Sequence, residues 1–520
     1  MNSEMILTGK DIKSCYEHRE IFSTGALRDD LKGRSLRGGL YKMTGEGINF
    51  ILRLASTAIL ARILIPEHFG LISMVMALTA IAAVIKDFGL SIATVQAKEI
   101  THGEASALFW INVSVGALIT LTLCMLSKMI ARFYADDRLI WVTVGISATF
   151  LFGGITVQHQ ALLWRKMLFG RIATVDVGAT IFSCSIAIFL GLKGYGYWAL
   201  VSREIMSSFF LAIGTWMACG WIPKLPSRNV NIRKMIRVGG DVTAFNVVEF
   251  FSRSLDQILL GKFYGPSLLG IYKQGYQLAS LPVNYLVHPV HAIAQPGLSV
   301  LQDDPVKYRQ YYRKIVTSVS FVSMPLVVFL FIHSKDIVLL LLGEKWIEAA
   351  RIFEIITASS FLIPVVSTTG FVMITCGLTR RFFCLGLAKS IILVLSFVVG
   401  IRWGAVGIAY GQLITMYVFV FPLLFLAFKN TPVRAELFFS SILHSLICSL
   451  LMGGALFAFS KVISVQNNFF AIAASLPIAI AFYLVAWMVI PGGTQRLKEF
   501  FSDFVFVFKK SQRGRVISLS

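Results

Sequence analysis

Charge is what this chain is short of: Lys, Arg, Asp and Glu make up only 14% of its 520 residues. A soluble fold of that length carries roughly a quarter charged residues to keep its surface in water, so a soluble enzyme or a string of soluble domains is excluded. Chemical motifs are missing too. There is no Walker loop, Rossmann glycine pattern, zinc-ligand helix or nucleophile elbow, so neither ATP-driven pumping nor enzymatic turnover has a motif behind it, and no cofactor is expected. The seven cysteines (Cys15, Cys124, Cys184, Cys219, Cys376, Cys384 and Cys448) include no CxxC pair and no histidine at ligand spacing. They read as packing residues rather than as a metal site. The first 38 residues are polar and hold seven Lys or Arg, unlike a cleavable signal peptide, so the first apolar span is expected to direct the chain to the membrane itself.

Apolar sequence takes the place of what is lacking. Aliphatic, aromatic and cysteine residues reach 56%, and mean hydropathy is +0.74. Runs of about 20 apolar residues, the length that crosses a ~30 Å hydrocarbon core, recur from Thr44 to Ile490. They predict an all-α polytopic membrane protein of about 14 transmembrane helices, near 44–61, 69–95, 105–127, 139–158, 172–192, 196–219, 242–261, 268–298, 315–333, 350–376, 382–400, 404–428, 437–460 and 468–490. The chain then divides into a basic N-tail (1–38), a six-helix lobe (39–220), a linker (221–238), a second six-helix lobe (239–430), two further helices (431–490) and a basic C-tail (491–520).

The net charge of +21, from 48 Lys and Arg against 27 Asp and Glu, does not mark a nucleic-acid binder, because the cations are spread through short gaps between spans. With the N-terminus inside, 30 cations fall on that side and 11 on the other, which predicts that both termini are cytoplasmic. The longest gap on the opposite side, about 334–351, leaves no room for an extramembrane catalytic domain. Whatever the protein does is therefore expected to happen within the bilayer.

The sequence also repeats. At an offset of 200, Arg37/Arg237, Gly39/Gly239, Phe50/Phe250, Arg53/Arg253, Leu60/Leu260, Pro66/Pro266 and Gly70/Gly270 are identical. Six spans separate these equivalents, an even number, so the two lobes are expected to be a parallel pseudo-repeat about an axis along the membrane normal. The first span places Glu46, Asn49, Arg53 and Ser56 on one helical stripe, and the seventh repeats it with Asn246, Glu249, Arg253 and Asp256. A cation at mid-depth costs about 2.5–3.5 kcal/mol on insertion scales, so such a stripe implies either a wet cavity or a salt-bridge seam. Glu249 and Asp256 flank Arg253 by four and three residues and are placed to neutralise it, whereas Arg53 has Asn49 and Ser56 at those offsets. Arg53, Asn49, Glu46 and Arg253 are thus the candidate substrate contacts. Glu249, Asp256 and, at the end of span 2, Asp87 are candidates for coupling or for a cavity salt bridge. Asp176, Arg203 with Glu204, and Lys86 with Asp87 read as structural pairs.

Several segments resemble bacterial polysaccharide exporters, the Wzx-like flippases of the multidrug/oligosaccharidyl-lipid/polysaccharide superfamily, in their exopolysaccharide or colanic-acid branch. They are Leu-Ala-Arg-Ile-Leu-Ile-Pro-Glu-His-Phe-Gly-Leu at 60–71, Asp-Phe-Gly-Leu-Ser at 87–91, Gly-Tyr-Gly-Tyr-Trp-Ala-Leu-Val at 194–201, Leu-Gly-Ile-Tyr at 269–272, Leu-Pro-Val-Asn-Tyr-Leu at 281–286, Leu-Gln-Asp-Asp-Pro at 301–305 and Leu-Leu-Gly-Glu-Lys-Trp at 341–346. The resemblance runs from about Arg37 to about Asn430. It implies two six-helix lobes in a V, two added C-terminal helices, and translocation of an undecaprenyl-diphosphate-linked oligosaccharide across the inner membrane by alternating access, for exopolysaccharide or lipopolysaccharide biosynthesis. Membrane lipids, a polysaccharide polymerase and export machinery would be its partners. A multidrug or small-cation antiporter on the same scaffold, or a polysaccharide polymerase or ligase, are the alternatives: the first would favour uncompensated cavity carboxylates, the second a large external loop.

Overall fold

The computed structural model describes residues 31–87, 90–97, 100–225, 233–462, 468–491, 493–494 and 497–498. Side chains are outside the description over 31–37, 233–253 and 283–293 and at a few single positions, Asp87 among them. The described residues are helical, with no strand. In chain order the helices are α1 (Leu31–Ile63), α2 (Pro66–Asp87), α3 (Leu90–Gln96), α4 (His102–Tyr134), α5 (Arg138–Arg165), α6 (Phe169–Leu192), α7 (Trp198–Cys219), α8 (Arg233–Val300), α9 (Pro305–Ile332), α10 (Ser334–Leu341), α11 (Ile347–Ser359), α12 (Ile363–Val366), α13 (Thr369–Thr375), α14 (Thr379–Gly400), α15 (Gly404–Phe428), α16 (Ala435–Val462) and α17 (Asn468–Val489). Among the described residues, nine helical stretches are long and apolar enough to cross a membrane. The chain is a multi-pass membrane protein. It divides into two compact units, one of Met1–Leu64 with Leu71–Ser254, the other of Ile65–Gly70 with Leu255–Ser520.

In the first unit, small residues let the helices approach, as they must where lipid removes any hydrophobic drive between apolar helices. α1 and α6 lie side by side and run in the same direction: Gly45 sits on Ala173, whose methyl would be 2.7 Å from an added Cβ, and Gly191 sits on Leu60. α4 and α5 cross through a reciprocal pair. A Cβ on Gly116 would stand 2.6 Å from the Phe150 carbonyl oxygen, and one on Gly154 would stand 2.5 Å from that of Asn112. The Thr120 hydroxyl donates to the Ser147 carbonyl beside them, 2.9 Å away.

Buried polar groups in this unit close helix ends. Arg165, at the last residue of α5, is buried and donates to the carbonyls of Thr94 and Ala97, which finishes the C-terminus of α3. His159 stacks on Trp216 with centroids 4.5 Å apart and holds the Trp221 carbonyl at 3.1 Å. Trp110 Nε1 donates to the Lys224 carbonyl at 3.0 Å, tying residues 221–225 onto the start of α4. At the turn into α5, two side-chain hydrogen bonds from Arg138 hold the Asp136 carboxyl below its ordinary range.

The second unit is organised by proline and glycine. Within α8, Gly265 takes φ +80°, a backbone state open to glycine without strain, and Pro266 restarts the helix. Pro66 starts α2 in the same way, two residues after Leu64 N–H closes α1 onto Leu60 at 2.8 Å. The two restarted helices cross at their first turns. A methyl on Gly70 would overlap the Pro266 carbonyl oxygen and stand 2.8 Å from the Pro266 Cα, and a methyl on Gly270 would do the same to the Pro66 carbonyl, whose carbon would be 2.8 Å away. Phe69 meets the fully buried Trp346 edge-on at 5.1 Å, sealing the crossing.

Further along, hydroxyl pairs tie α9 to its neighbours: Tyr308 to Thr375 at 2.6 Å, Tyr312 to Thr368 at 3.0 Å and Ser320 to Ser445 at 3.0 Å. Tyr483 of α17 donates to the Phe321 carbonyl at 2.9 Å. Two predicted segments have internal structure. The run 350–376 falls almost wholly within one stretch long and apolar enough to cross a membrane, Glu344–Thr375, but the helix breaks between α11, α12 and α13. Pro364 removes one donor there, and Ser359, Ser360, Ser367, Thr368 and Thr369 turn their hydroxyls back onto carbonyls three or four residues earlier, which competes with a straight helix. The gap 334–351 contains the short helix α10, which buries Ile337 and Val338.

Candidate functional site

The polar stripe of α1 lies along a helix that α6 supports. Asn49 and Ser56 are buried, and the Asn49 side-chain amide oxygen Oδ1 and the Ser56 hydroxyl have no hydrogen-bond partner among the described residues. Buried groups of this kind normally find partners, so both mark places where water or a ligand group would be stabilised. Arg53 is exposed. Among the described residues it makes no hydrogen bond and no ion pair within 4.0 Å, although it stands ten residues, about 15 Å of helix, before the end of α1 at Ile63. Glu46, the nearest carboxylate to Arg53 along the stripe, pairs instead with Lys42 at 3.7 Å, and Lys42 also lies over the Trp164 ring at 4.3 Å. Asp176 of α6 lies within electrostatic reach of Arg53, and also of Lys42 and Glu46. Asp176 reads from sequence as part of a structural pair; parallel packing of α1 on α6 brings it to the stripe, a relation no local pattern encodes.

The second unit contains another buried polar group. Asp256 is 4% exposed and Tyr272 fully buried, and the Tyr272 hydroxyl donates to Asp256 Oδ2 at 2.9 Å. Lys273 donates to Gln257 Oε1 at 3.0 Å and acts electrostatically on Asp256. Asp256 Oδ1 and Gln274 Oε1 have no partner among the described residues. A carboxylate gripped on one oxygen by a phenol and open on the other can take up a proton or a small cation. Tyr272 and Lys273 are missing from the sequence-based candidates because they join Asp256 and Gln257 only when α8 folds back at Gly265. The side chains of Asn246, Glu249 and Arg253 lie outside the described residues, as does that of Asp87, so the expected pairing of Arg253 with Glu249 and Asp256 falls there too.

Other charged side chains of these helices have close neighbours. Arg203 pairs with Glu204 at 3.0 Å, and the Lys86 side chain lies over Gly153 of α5, with Nζ 2.6 Å from the position of an added Cβ. If transport is proton-linked, Asp256→Asn is expected to flatten the pH dependence of transport, because the open oxygen is then no longer titratable. An unchanged pH profile in proteoliposomes would remove Asp256 from that role.

Comparison with known proteins follows the fold. The family profile described as Polysaccharide biosynthesis protein matches residues 59–351, more than half of the chain. The lipopolysaccharide biosynthesis protein WzxC of Escherichia coli (strain K12) is 23% identical over 397 residues, covering 75% of this chain and 80% of that protein. The succinoglycan biosynthesis transport protein ExoT of Rhizobium meliloti (strain 1021) is 21% identical over 321 residues, covering 61% of this chain and 65% of that protein. Among solved structures, the lipid II flippase MurJ in an inward closed conformation superposes with a TM-score of 0.71 at 16% identity, over 86% of this chain and 98% of that one. An inward-facing multidrug resistance MATE transporter of the MOP superfamily superposes with a TM-score of 0.56 at 12% identity, over 74% of this chain and 97% of that one.

Proposed function

Since the chain belongs to the polysaccharide biosynthesis protein family, we propose that it is a flippase carrying an undecaprenyl-diphosphate-linked oligosaccharide across the bacterial inner membrane by alternating access, without covalent chemistry. The observation that carries the reading is Arg53: an exposed guanidinium deep in a span, flanked by the unsatisfied Asn49 and Ser56 and without an ion pair within 4.0 Å among the described residues. A diphosphate is the group such a cation holds best, through two parallel charge-assisted hydrogen bonds. Neither the diphosphate nor the hydrated glycan crosses hydrocarbon unaided. Asn49 and Glu46 are assigned to the same site. Arg253, with Glu249 and Asp256, is assigned to the equivalent stripe of the second lobe, and Asp87 to a secondary coupling role.

The proposal includes about 14 spans in two parallel six-helix repeats with two added helices. The reciprocal meeting of Pro66 with Gly270 and of Pro266 with Gly70 supports a repeat at this offset. Two cytoplasmic turns add support at an offset of 210. Leu168 N–H bonds the Leu163 carbonyl and Leu378 N–H that of Met373, while Arg171 and Arg381 each donate to carbonyls where the neighbouring helix ends, Ala218 and Leu426 respectively. Both termini are placed in the cytoplasm by the cation bias. A Glu344→Cys variant free of the native cysteines is therefore expected to react with an impermeant maleimide from outside; reaction only after permeabilisation would reverse the topology.

The functional reading is tested by thermal stabilisation. A lipid-linked oligosaccharide is expected to raise the melting temperature of the purified protein, while cationic dyes leave it unchanged. The reverse result would favour a multidrug antiporter, the reading that the buried Asp256 carboxylate keeps open.

A further inference from the structure

We propose that the corner of the first unit where α1, α6 and α7 meet binds the phosphate of a membrane lipid, between Lys166 and Arg171. The sequence builds this corner by stopping and restarting a helix. α5 ends at Arg165, the chain turns through Met167 at φ +56°, and α6 begins at Phe169, which sets Lys166 and Arg171 on either side of the turn. Between them lies an open cavity of about 930 Å³, whose lining among the described residues carries both cations and no carboxylate. That volume holds a phosphorylated head group and the first carbons of its chains. Arg171 is oriented by one N–H donated to the Ala218 carbonyl at 2.9 Å, in the last turn of α7, so its fork is fixed at one nitrogen while the residue stays exposed.

Two further features favour a lipid over a free anion. The cavity sits where α6 starts and α7 ends, at head-group depth for spans of this length, and the first N–H groups of α6 add their partial positive charge. Its rim is apolar and faces outward: Tyr41 is 60% exposed and Met217 79%, next to exposed Ile213 and Ile222. A phosphate would therefore meet the two cations while its hydrocarbon lay against Tyr41 and Met217, as basic pockets between transmembrane helices hold anionic lipids. Gly170 borders the Tyr41 ring, which would lie 3.7 Å from an added Cβ, an ordinary contact distance.

The test is lipid binding to the purified full-length chain, read by native mass spectrometry. Titrations use phosphatidylglycerol, phosphatidylcholine and undecaprenyl phosphate, with inorganic phosphate as a competitor. The wild type is expected to retain phosphatidylglycerol in preference to phosphatidylcholine, and the Lys166→Gln, Arg171→Gln double variant to lose at least about tenfold in that affinity. Thr174→Trp, an exposed change in the cavity lining, leaves both cations and the Arg171–Ala218 bond intact, so loss of lipid from this variant reports filling of the site and not unfolding. If undecaprenyl phosphate displaces phosphatidylglycerol at lower concentration, the site takes a polyprenyl carrier; if it does not, the site takes a structural phospholipid. Either result supports a lipid-borne phosphate. Binding to both variants at wild-type affinity, or displacement of lipid by an equal concentration of inorganic phosphate, would overturn the proposal. Because binding is read without transport, its failure leaves the flippase reading standing.

Discussion

Gly70→Ala is expected to remove most of the folded protein from the membrane fraction and to lower the melting temperature of what remains. The new methyl would occupy the carbonyl oxygen of Pro266, and that oxygen belongs to the backbone, with a proline ring fixing its φ. No rotamer change relieves the overlap, so the helices must separate. Overpacking typically costs about 1–3 kcal/mol, and against an immovable neighbour the upper end or more is expected, a large share of the 5–15 kcal/mol of a typical domain. Gly270→Ala should behave alike, because its methyl meets the Pro66 carbonyl. The double variant should be only slightly worse than either single one, since a crossing forced apart by one methyl has room for the second. Gly39→Ala and Gly178→Ala are the controls. Nothing lies within 4 Å of an added Cβ at either position, and alanine favours a helix over glycine by up to about 1 kcal/mol, so both should melt at or above wild type. Size-exclusion profiles and melting curves of the five variants and the wild type decide the matter: a Gly70→Ala protein that melts with wild type would mean the two helices do not cross this closely.

Arg53→Ala is expected to abolish polysaccharide export while the protein accumulates normally. The side chain is exposed and has no ion pair within 4.0 Å among the described residues, so its loss leaves no buried carboxylate in an ion pair broken. Loss of one charge-assisted hydrogen-bonding group costs about 1.5–3 kcal/mol, which is about 10- to 100-fold in transport rate when the contact is made in the transported state. Arg53→Lys keeps the charge and loses the planar fork, so it should retain part of the activity. The arrangement around Arg53 sets the controls. Glu46 is engaged by Lys42, which makes Asp176 the better candidate for a purely structural partner. If Arg53 serves only to balance a carboxylate, Arg53→Gln combined with Asp176→Asn, or with Glu46→Gln, should export normally. If it holds the diphosphate, both double variants should stay as inactive as Arg53→Gln alone. Flipping assays in proteoliposomes, matched for protein content, separate the two results.

The membrane class, the all-helical character of the described residues and the polar stripe on α1 could be read directly from the chain. In lipid each backbone N–H and C=O must be satisfied within its own helix, so span location is a local property of composition, with Pro66 and Pro266 as punctuation. The recurrence of Pro-x-x-x-Gly was legible for the same reason, but its purpose was not. That Gly70 faces Pro266 and Gly270 faces Pro66 depends on how residues 200 apart approach each other. Partner choice followed the same rule. Spacing along the helix made Glu46 the nearest carboxylate to Arg53 on its stripe. The i,i+4 spacing within α1 gives Glu46 to Lys42, while packing between distant segments sets Asp176 near Arg53 and puts Tyr272 on Asp256. The break in the run 350–376 was likewise hidden, because apolar composition looks the same in a straight helix and in three short ones, and the hydroxyl pairs Tyr308–Thr375 and Tyr312–Thr368 become favourable only once α9 is beside them. Period and hydropathy encode what a helix satisfies by itself; which surfaces meet is decided by contacts distant in sequence, where one methyl or one hydroxyl can select the neighbour.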